Sequence, residues 1–154
     1  MIKLDRYYMS EALKEAAKAF DADEVPVGAV IVHEGMVIAR AHNQIKLLRD
    51  PTAHAEMIAI TQAASYLGSE RLLNSTLYVT IEPCAMCSGA MVLARIKRLV
   101  YGADDLKTGA SGSVFNITRN SRLNHRITVS RGLFKEECAL LLKDFFASKR
   151  ARLK

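Results

Sequence analysis

No apolar run in this sequence reaches the length that a membrane-spanning helix needs, and the opening Met1-Ile2-Lys3-Leu4-Asp5-Arg6 lacks the hydrophobic segment of a secretory signal. The chain therefore reads as cytoplasmic, with no membrane partner. Cysteine is scarce. There are three, an odd number, and two of them share one C-x-x-C, so a disulfide framework is excluded as a source of stability and the compartment reads as reducing. The third, Cys138, reads as core. Neither an internal repeat nor a low-complexity tract interrupts the 154 residues, half of which are apolar. That length fits a single domain, residues 1–154, able to bury a core without covalent staples.

Acidic residues are outnumbered. The chain has 22 Lys and Arg against 16 Asp and Glu, a net charge of +6. Basic surface attracts phosphate backbones, so the surplus tilts toward a polyanionic partner, although solvated side chains would account for it equally well. The distribution says more. Arg119, Arg122, Arg126 and Arg131 crowd one late segment, and Lys149, Arg150, Arg152 and Lys154 load the C-terminus, where cations also suit a helix dipole.

Periodicity predicts an amphipathic helix over residues 5–20, with Met9, Ala12, Leu13, Ala16 and Phe20 on one face. Residues 27–32 and 37–41 read as a hairpin about the turn Glu34-Gly35. A helix is expected from about His54 to Tyr66, closed by Gly68, and the β-branched run 76–81 is the clearest strand. A second helix follows to about Arg95, then strands at 99–101 and 127–129. A closing helix runs from 134 to about 149, with Cys138, Leu141, Leu142, Phe145 and Phe146 inward. The stretch 102–124 is rich in Gly, Ser, Asp and Asn and reads as a long loop, of the kind that is usually functional or mobile. Strands alternating with helices argue for a mixed sheet covered by helices.

The chemistry lies in His54-Ala55-Glu56 and Glu82-Pro83-Cys84-Ala85-Met86-Cys87. A helix beginning after Pro83 puts Cys84 and Cys87 on one face of its first turn, so two thiolates converge on one ion. With His54 as third ligand they make an acceptable zinc set, which leaves the fourth tetrahedral position for water, as in catalytic sites. Two thiolates already cancel the charge of the ion, so its water needs a nearby base, and Glu56 is placed to carry the proton. The pattern H-x-E…P-C-x-x-C is that of zinc nucleobase deaminases, in which the Glu is not a ligand. One difficulty stands: residues two apart on a helix point to nearly opposite sides, so the site must lie over the helix end. His42 as a fourth ligand would close the site. His33 and His125 read as loop residues, Met86, Met91 and Val92 as core, and Asn43 as a turn residue or a substrate contact.

Four stretches together resemble the bacterial tRNA-specific adenosine deaminases, and the resemblance runs from the first helix to the last. They are Val25-Pro26-Val27-Gly28-Ala29-Val30, residues 50–56, residues 76–87 and Lys107-Thr108-Gly109-Ala110-Ser111-Gly112-Ser113. H-x-E and P-C-x-x-C are shared with cytidine, guanine and cytosine deaminases, whereas the K-T-G-x-x-G-S loop and Asn124-His125-Arg126 favour the tRNA enzymes. Residues 44–49 and the tail after Phe146 depart from the family pattern.

The resemblance implies a three-layer α/β/α cytidine-deaminase-like sandwich with a mixed sheet of about five strands. It implies one Zn²⁺ per chain, a homodimer with each RNA touching both subunits, and conversion of the wobble adenosine of a tRNA anticodon stem-loop to inosine. It also implies that Asn43 holds the base with help from the backbone at Ala55, and that Asp105 sits near the neighbouring ribose. Two other readings remain at this stage: a deaminase of free guanine or cytosine, and a non-catalytic zinc-stabilised RNA-binding module.

Overall fold

The computed structural model describes residues 2–153. Helix α1 spans Ile2–Asp21 and leads into the hairpin β1 (Gly28–His33) and β2 (Met36–His42), turned by Glu34 and Gly35 at φ 50° and 76°. A single-turn helix, α2 (Ile45–Leu48), follows, then α3 (Ala55–Leu67), β3 (Ser75–Ile81), α4 (Ala85–Leu93), β4 (Arg98–Ala103), β5 (Thr128–Arg131) and α5 (Lys135–Arg152). The five strands form one sheet in the order β2-β1-β3-β4-β5. The β1 pairings with β2 and β3 are antiparallel, whereas β3-β4 and β4-β5 are parallel, so the sheet is mixed as expected. Among the described residues no helix is long and apolar enough to cross a membrane.

Alternation along the strands divides the core between the two faces. Ala29, Ile31, Leu77, Val79, Leu99 and Tyr101 face one side, where α3 and α4 cover them. Val30, Val32, Tyr78 and Val100 face the other, where Tyr8, Met9 and Ala12 of α1 pack. Helix α5 joins α1 there, with Phe20 and Phe145 edge to face at 5.7 Å between ring centroids. The result is the three-layer sandwich. Its first contact is unusually close: a Cβ on Gly28 would lie 2.0 Å from the Ala12 carbonyl oxygen, so only glycine lets α1 lie directly on β1. A buried polar group reinforces the same layer, since Tyr78 donates to Asp5 at 2.7 Å while Arg98 grips both Asp5 oxygens at 2.8 Å.

Helix α2 is absent from the sequence reading. Its four residues are too few for a periodic signal, and it is held by Glu24, whose buried carboxylate accepts from the Lys46 and Leu47 N–H groups at 3.0 and 2.9 Å. Phe146 also departs from expectation. It is 45% exposed, because α5 turns only Cys138 and Phe145 fully inward. The parallel half of the sheet has the larger consequence for function. It sends β3 and β4 in one direction, and the loops leaving their C-terminal ends, residues 82–84 and 104–127, meet over the same edge.

Candidate metal centre and substrate pocket

His54 and Cys84 are both helix N-caps. His54 precedes α3 with φ −73° and ψ 151°, and Cys84 precedes α4 with φ −74° and ψ 177°. Neither side chain caps its own helix, which leaves imidazole and thiol to turn toward each other. This settles the difficulty over residues two apart: His54 stands before the helix in extended backbone, while Glu56 lies within its first turn. Cys87, one turn into α4, completes the group.

The Nδ1 of His54 lies 3.7 Å from the Cys84 sulfur and 3.6 Å from that of Cys87, and all three donor atoms fall within 4.8 Å of one another. An ion with Zn–S and Zn–N distances of about 2.3 and 2.0–2.1 Å in a tetrahedral frame requires an N-to-S separation of about 3.6 Å. The donor geometry therefore fits such an ion, as does the chemistry of two sulfurs and one imidazole. His42 is not part of the group; its Nδ1 faces Glu15 at 3.4 Å. His125 Nε2 pairs with the Ile96 carbonyl at 2.7 Å.

The electrostatics suit ligation. The Cys87 S–H and the His54 ring beside it, assisted by the α4 N-terminus, hold the Cys84 thiol down at about 4 despite its burial. The Cys84 sulfur and burial push Cys87 up, and the same Cys84 raises His54. Glu56 is 3% exposed, and burial raises its carboxyl above the usual range against the opposing pull of its own backbone N–H and His54.

A cavity of about 580 Å³ opens over the group, within the range of small-molecule sites. Asn43, Ile45, His54, Glu56, Asp105 and Phe146 contribute to its walls. Asn43, the residue after β2, is buried, and its Oδ1 accepts from the Ala55 N–H at 2.8 Å. That bond occupies the carbonyl end of the side chain and leaves the NH₂ as its free donor end. Asp105 opens the loop opposite. Its Oδ1 accepts from the Lys107 and Thr108 N–H groups at 3.0 Å each and its Oδ2 from the Thr108 hydroxyl at 2.7 Å. A carboxylate offers about four acceptor sites, so one stays open.

The exposed Phe146 belongs to this rim. Beyond it, Asp23, at the left-handed turn after α1 (φ 61°), receives Lys46 of α2 at 2.9 Å and, from α5, Lys149 at 3.1 Å and Arg152 at 2.9 Å. Of the basic residues singled out in the sequence, Arg119, Arg122 and Arg126 are exposed on the loop after β4. Arg131 reaches Asp104 at 3.9 Å, and Lys154 lies outside the described residues. The residue that sequence reasoning missed is Glu82. It entered only as the start of a motif, yet it is 1% exposed and every partner it has lies in the 105–113 loop or its approach.

Comparison with known proteins comes to the same place. Residues 4–150 match the family model of MafB19-like deaminase. A Streptococcus pyogenes protein named tRNA-specific adenosine deaminase is 48% identical over 96% of this chain and 93% of its own length. A Bacillus subtilis protein of the same name is 48% identical over 97% and 93%, and one from Aquifex aeolicus 49% identical over 91% and 92%. Among solved structures, one from a study of A-to-I editing by tRNA:A34 deaminases at the wobble position is 47% identical, with a TM-score of 0.85 over 88% of this chain and 99% of that one. The guanine deaminase from Nitrosomonas europaea is 25% identical, with a TM-score of 0.80 over 92% and 84%.

Proposed function

This chain belongs to the deaminase family of those tRNA-specific adenosine deaminases, and from that premise we propose that it hydrolyses adenosine to inosine at the wobble position of a tRNA anticodon. The observation that carries the reading is the juxtaposition of three side chains able to ligate one metal ion with a buried carboxyl at the floor of an open pocket. Two helix N-termini aim at that floor, favouring negative charge on ligands and nucleophile alike.

His54, Cys84 and Cys87 are the ligands of one zinc ion in this reading. Bound there, the ion supplies a Lewis acid that lowers the pKa of water. Glu56 takes the proton from the attacking water as its oxygen bonds to C6 of the purine, and passes that proton to N1. The second proton, also moved by Glu56, goes to the exocyclic nitrogen. The C6–N bond breaks, ammonia leaves and a carbonyl remains. A carboxyl raised toward neutrality by burial is suited to take and return protons in one cycle. Asn43 presents its NH₂ to an acceptor on the base, its orientation fixed by the Ala55 N–H. Asp105 offers its open acceptor site to a ribose 2′-OH, the group that separates RNA from DNA. The anticodon loop is already unpaired, so extruding its base costs a few kcal/mol at most.

The test is incubation with a mixed tRNA pool, followed by sequencing. Adenosine-to-guanosine readout confined to the wobble position is expected. Deamination of free guanine or cytosine, with tRNA untouched, would replace this reading by the free-base one. The proposal includes a homodimer that presents both subunits to each RNA, for which exposed Leu93, Val114 and Phe115 supply apolar surface; a monomeric mass in solution would remove that part. It also treats the chain as one domain working in the cytoplasm, and a localisation outside that compartment would count against it.

The basic residues fall into two groups. Arg119, Arg122 and Arg126 carry no ion pair among the described residues, whereas Lys149 and Arg152 are shared with Asp23. Replacing the three arginines with Ala should lower the log-log salt slope of tRNA binding by about one for each phosphate that is no longer neutralised. Apparent KM should rise while saturating turnover holds, since phosphate-binding groups position RNA without reaching the reacting carbon. An unaltered slope and KM would assign these side chains to solvent.

A further inference from the structure

We propose that Glu82 is a positioning residue that fixes the 105–113 loop, and with it one wall of the substrate pocket, to the segment bearing the two cysteines. Glu82 follows β3 directly and stands two residues before Cys84. Its Oε1 accepts from the Asp105 N–H at 3.1 Å and from the Ser113 hydroxyl. Its Oε2 accepts from the Ser111 and Ser113 N–H groups, each at 3.0 Å. Among the described residues no Lys or Arg pairs with it. A buried anion is here satisfied wholly by donors from one loop, so the loop is wrapped on the carboxylate rather than neutralised by a neighbour.

The sequence of the loop is shaped by that wrapping. A Cβ on Gly109 would lie 2.4 Å from the Glu82 carboxyl carbon and 2.5 Å from the Asp105 carbonyl, so only glycine passes the anchor. Ser111 and Ser113 are the donors beyond it. The contact continues along the cysteine segment, where Ala110 N–H donates to the Pro83 carbonyl at 2.8 Å, Cys84 pairs with Gly109 as a short bridge, and the Ser88 and Ser111 hydroxyls meet at 3.3 Å. Residues 104–108, the part of the loop that faces the pocket, leave from this anchor. They contain no helix or strand, so their distance from Cys84 and Cys87 is set by the Glu82 side chain together with the backbone contacts of residues 109–110. Substrate that touches Asp105 is thereby held at a fixed height over the reacting centre, and a misplacement of about 1 Å is enough to slow such chemistry severely.

This inference rests on the deaminase reading for its effect on substrate, but its structural half can be measured separately. Glu82→Gln keeps the shape while placing an NH₂ against groups that are themselves donors. With zinc content unchanged, amide hydrogen exchange should accelerate in peptides covering 104–113 and nowhere else. KM for an anticodon stem-loop should rise by about tenfold, with a smaller change in kcat. Ser113→Ala, which removes one donor only, should move both readouts in the same direction by less. Glu82→Gln combined with Asp105→Ala should be no worse than Asp105→Ala alone in KM, because the anchor acts through that residue. Wild-type exchange in 104–113 in either folded variant would overturn the clamp, as would a KM effect without an exchange effect. If Glu82→Gln does not fold, Ser113→Ala decides alone. A wild-type protein inert on tRNA would fail the proposed function and leave the exchange result standing.

Discussion

Glu56→Ala should bind zinc as well as the parent and lose at least about 10²-fold in kcat on tRNA, the usual cost of removing a positioned acid-base group. All three ligand side chains remain, and the distances among them do not involve Glu56. The loss should fall equally on kcat and kcat/KM, since the proton transfers occur only on the way through the transition state. Stability should not follow activity. Burial disfavours the Glu56 carboxylate, so the folded-state pKa lies above the unfolded one. A raised carboxyl weakens the fold as pH climbs from the unfolded value through the folded one, and does not below that window. Removing it should leave the metal-free protein's unfolding temperature at neutral pH unchanged or higher. Metal analysis, single-turnover kinetics and a thermal scan read the three quantities, and retained turnover would end the assignment.

The second large effect concerns the metal. Cys87→Ala should abolish zinc binding at ordinary concentrations and activity with it, because two ligands from two N-caps cannot hold the ion as three do. Cys87 is fully buried beneath the site and lies on α4, while His54 precedes α3, so an ion bound to both would link two helices in addition to its chemistry. Its loss should therefore lower the unfolding temperature, and chelation of the parent protein should produce a similar drop, since ligand that binds only the folded state stabilises it. Zinc retained at one per chain in Cys87→Ala would mean that another side chain completes the set.

Much of this site is visible in the sequence because its parts are local. Cys84 and Cys87 share one helical turn, and the β-branched run before them is a strand that can deliver them to the sheet edge. The apolar run 27–32 reads as a strand from its own residues, without help from tertiary contacts. What stays hidden depends on distant partners. The spacing of His54 and Glu56 looks wrong for a helix until His54 is seen to be the cap, a matter of one residue's backbone that periodicity does not resolve. Helix α2 exists because Glu24 caps it from twenty-odd residues away. The Gly- and Ser-rich loop has the composition of a mobile segment, and nothing local says that Glu82 organises it. Phe146 follows the apolar pattern of α5 yet faces the pocket, since apolar character does not distinguish a core from a binding wall.

The carboxylate of Asp23 has a further consequence for an incoming polyanion. Free lysine and arginine side chains sample many rotamers, and each phosphate that captures one must pay for its confinement. Lys46, Lys149 and Arg152 are already gathered around Asp23, from stretches of chain 23, 126 and 129 residues away. Part of their attraction is cancelled by that acid, so they draw RNA less strongly from a distance than three bare cations would. A polyanion docking there would meet them in a narrower range of poses, with part of that confinement complete beforehand. The cluster thus exchanges long-range pull for short-range definition of where such a ligand would come to rest.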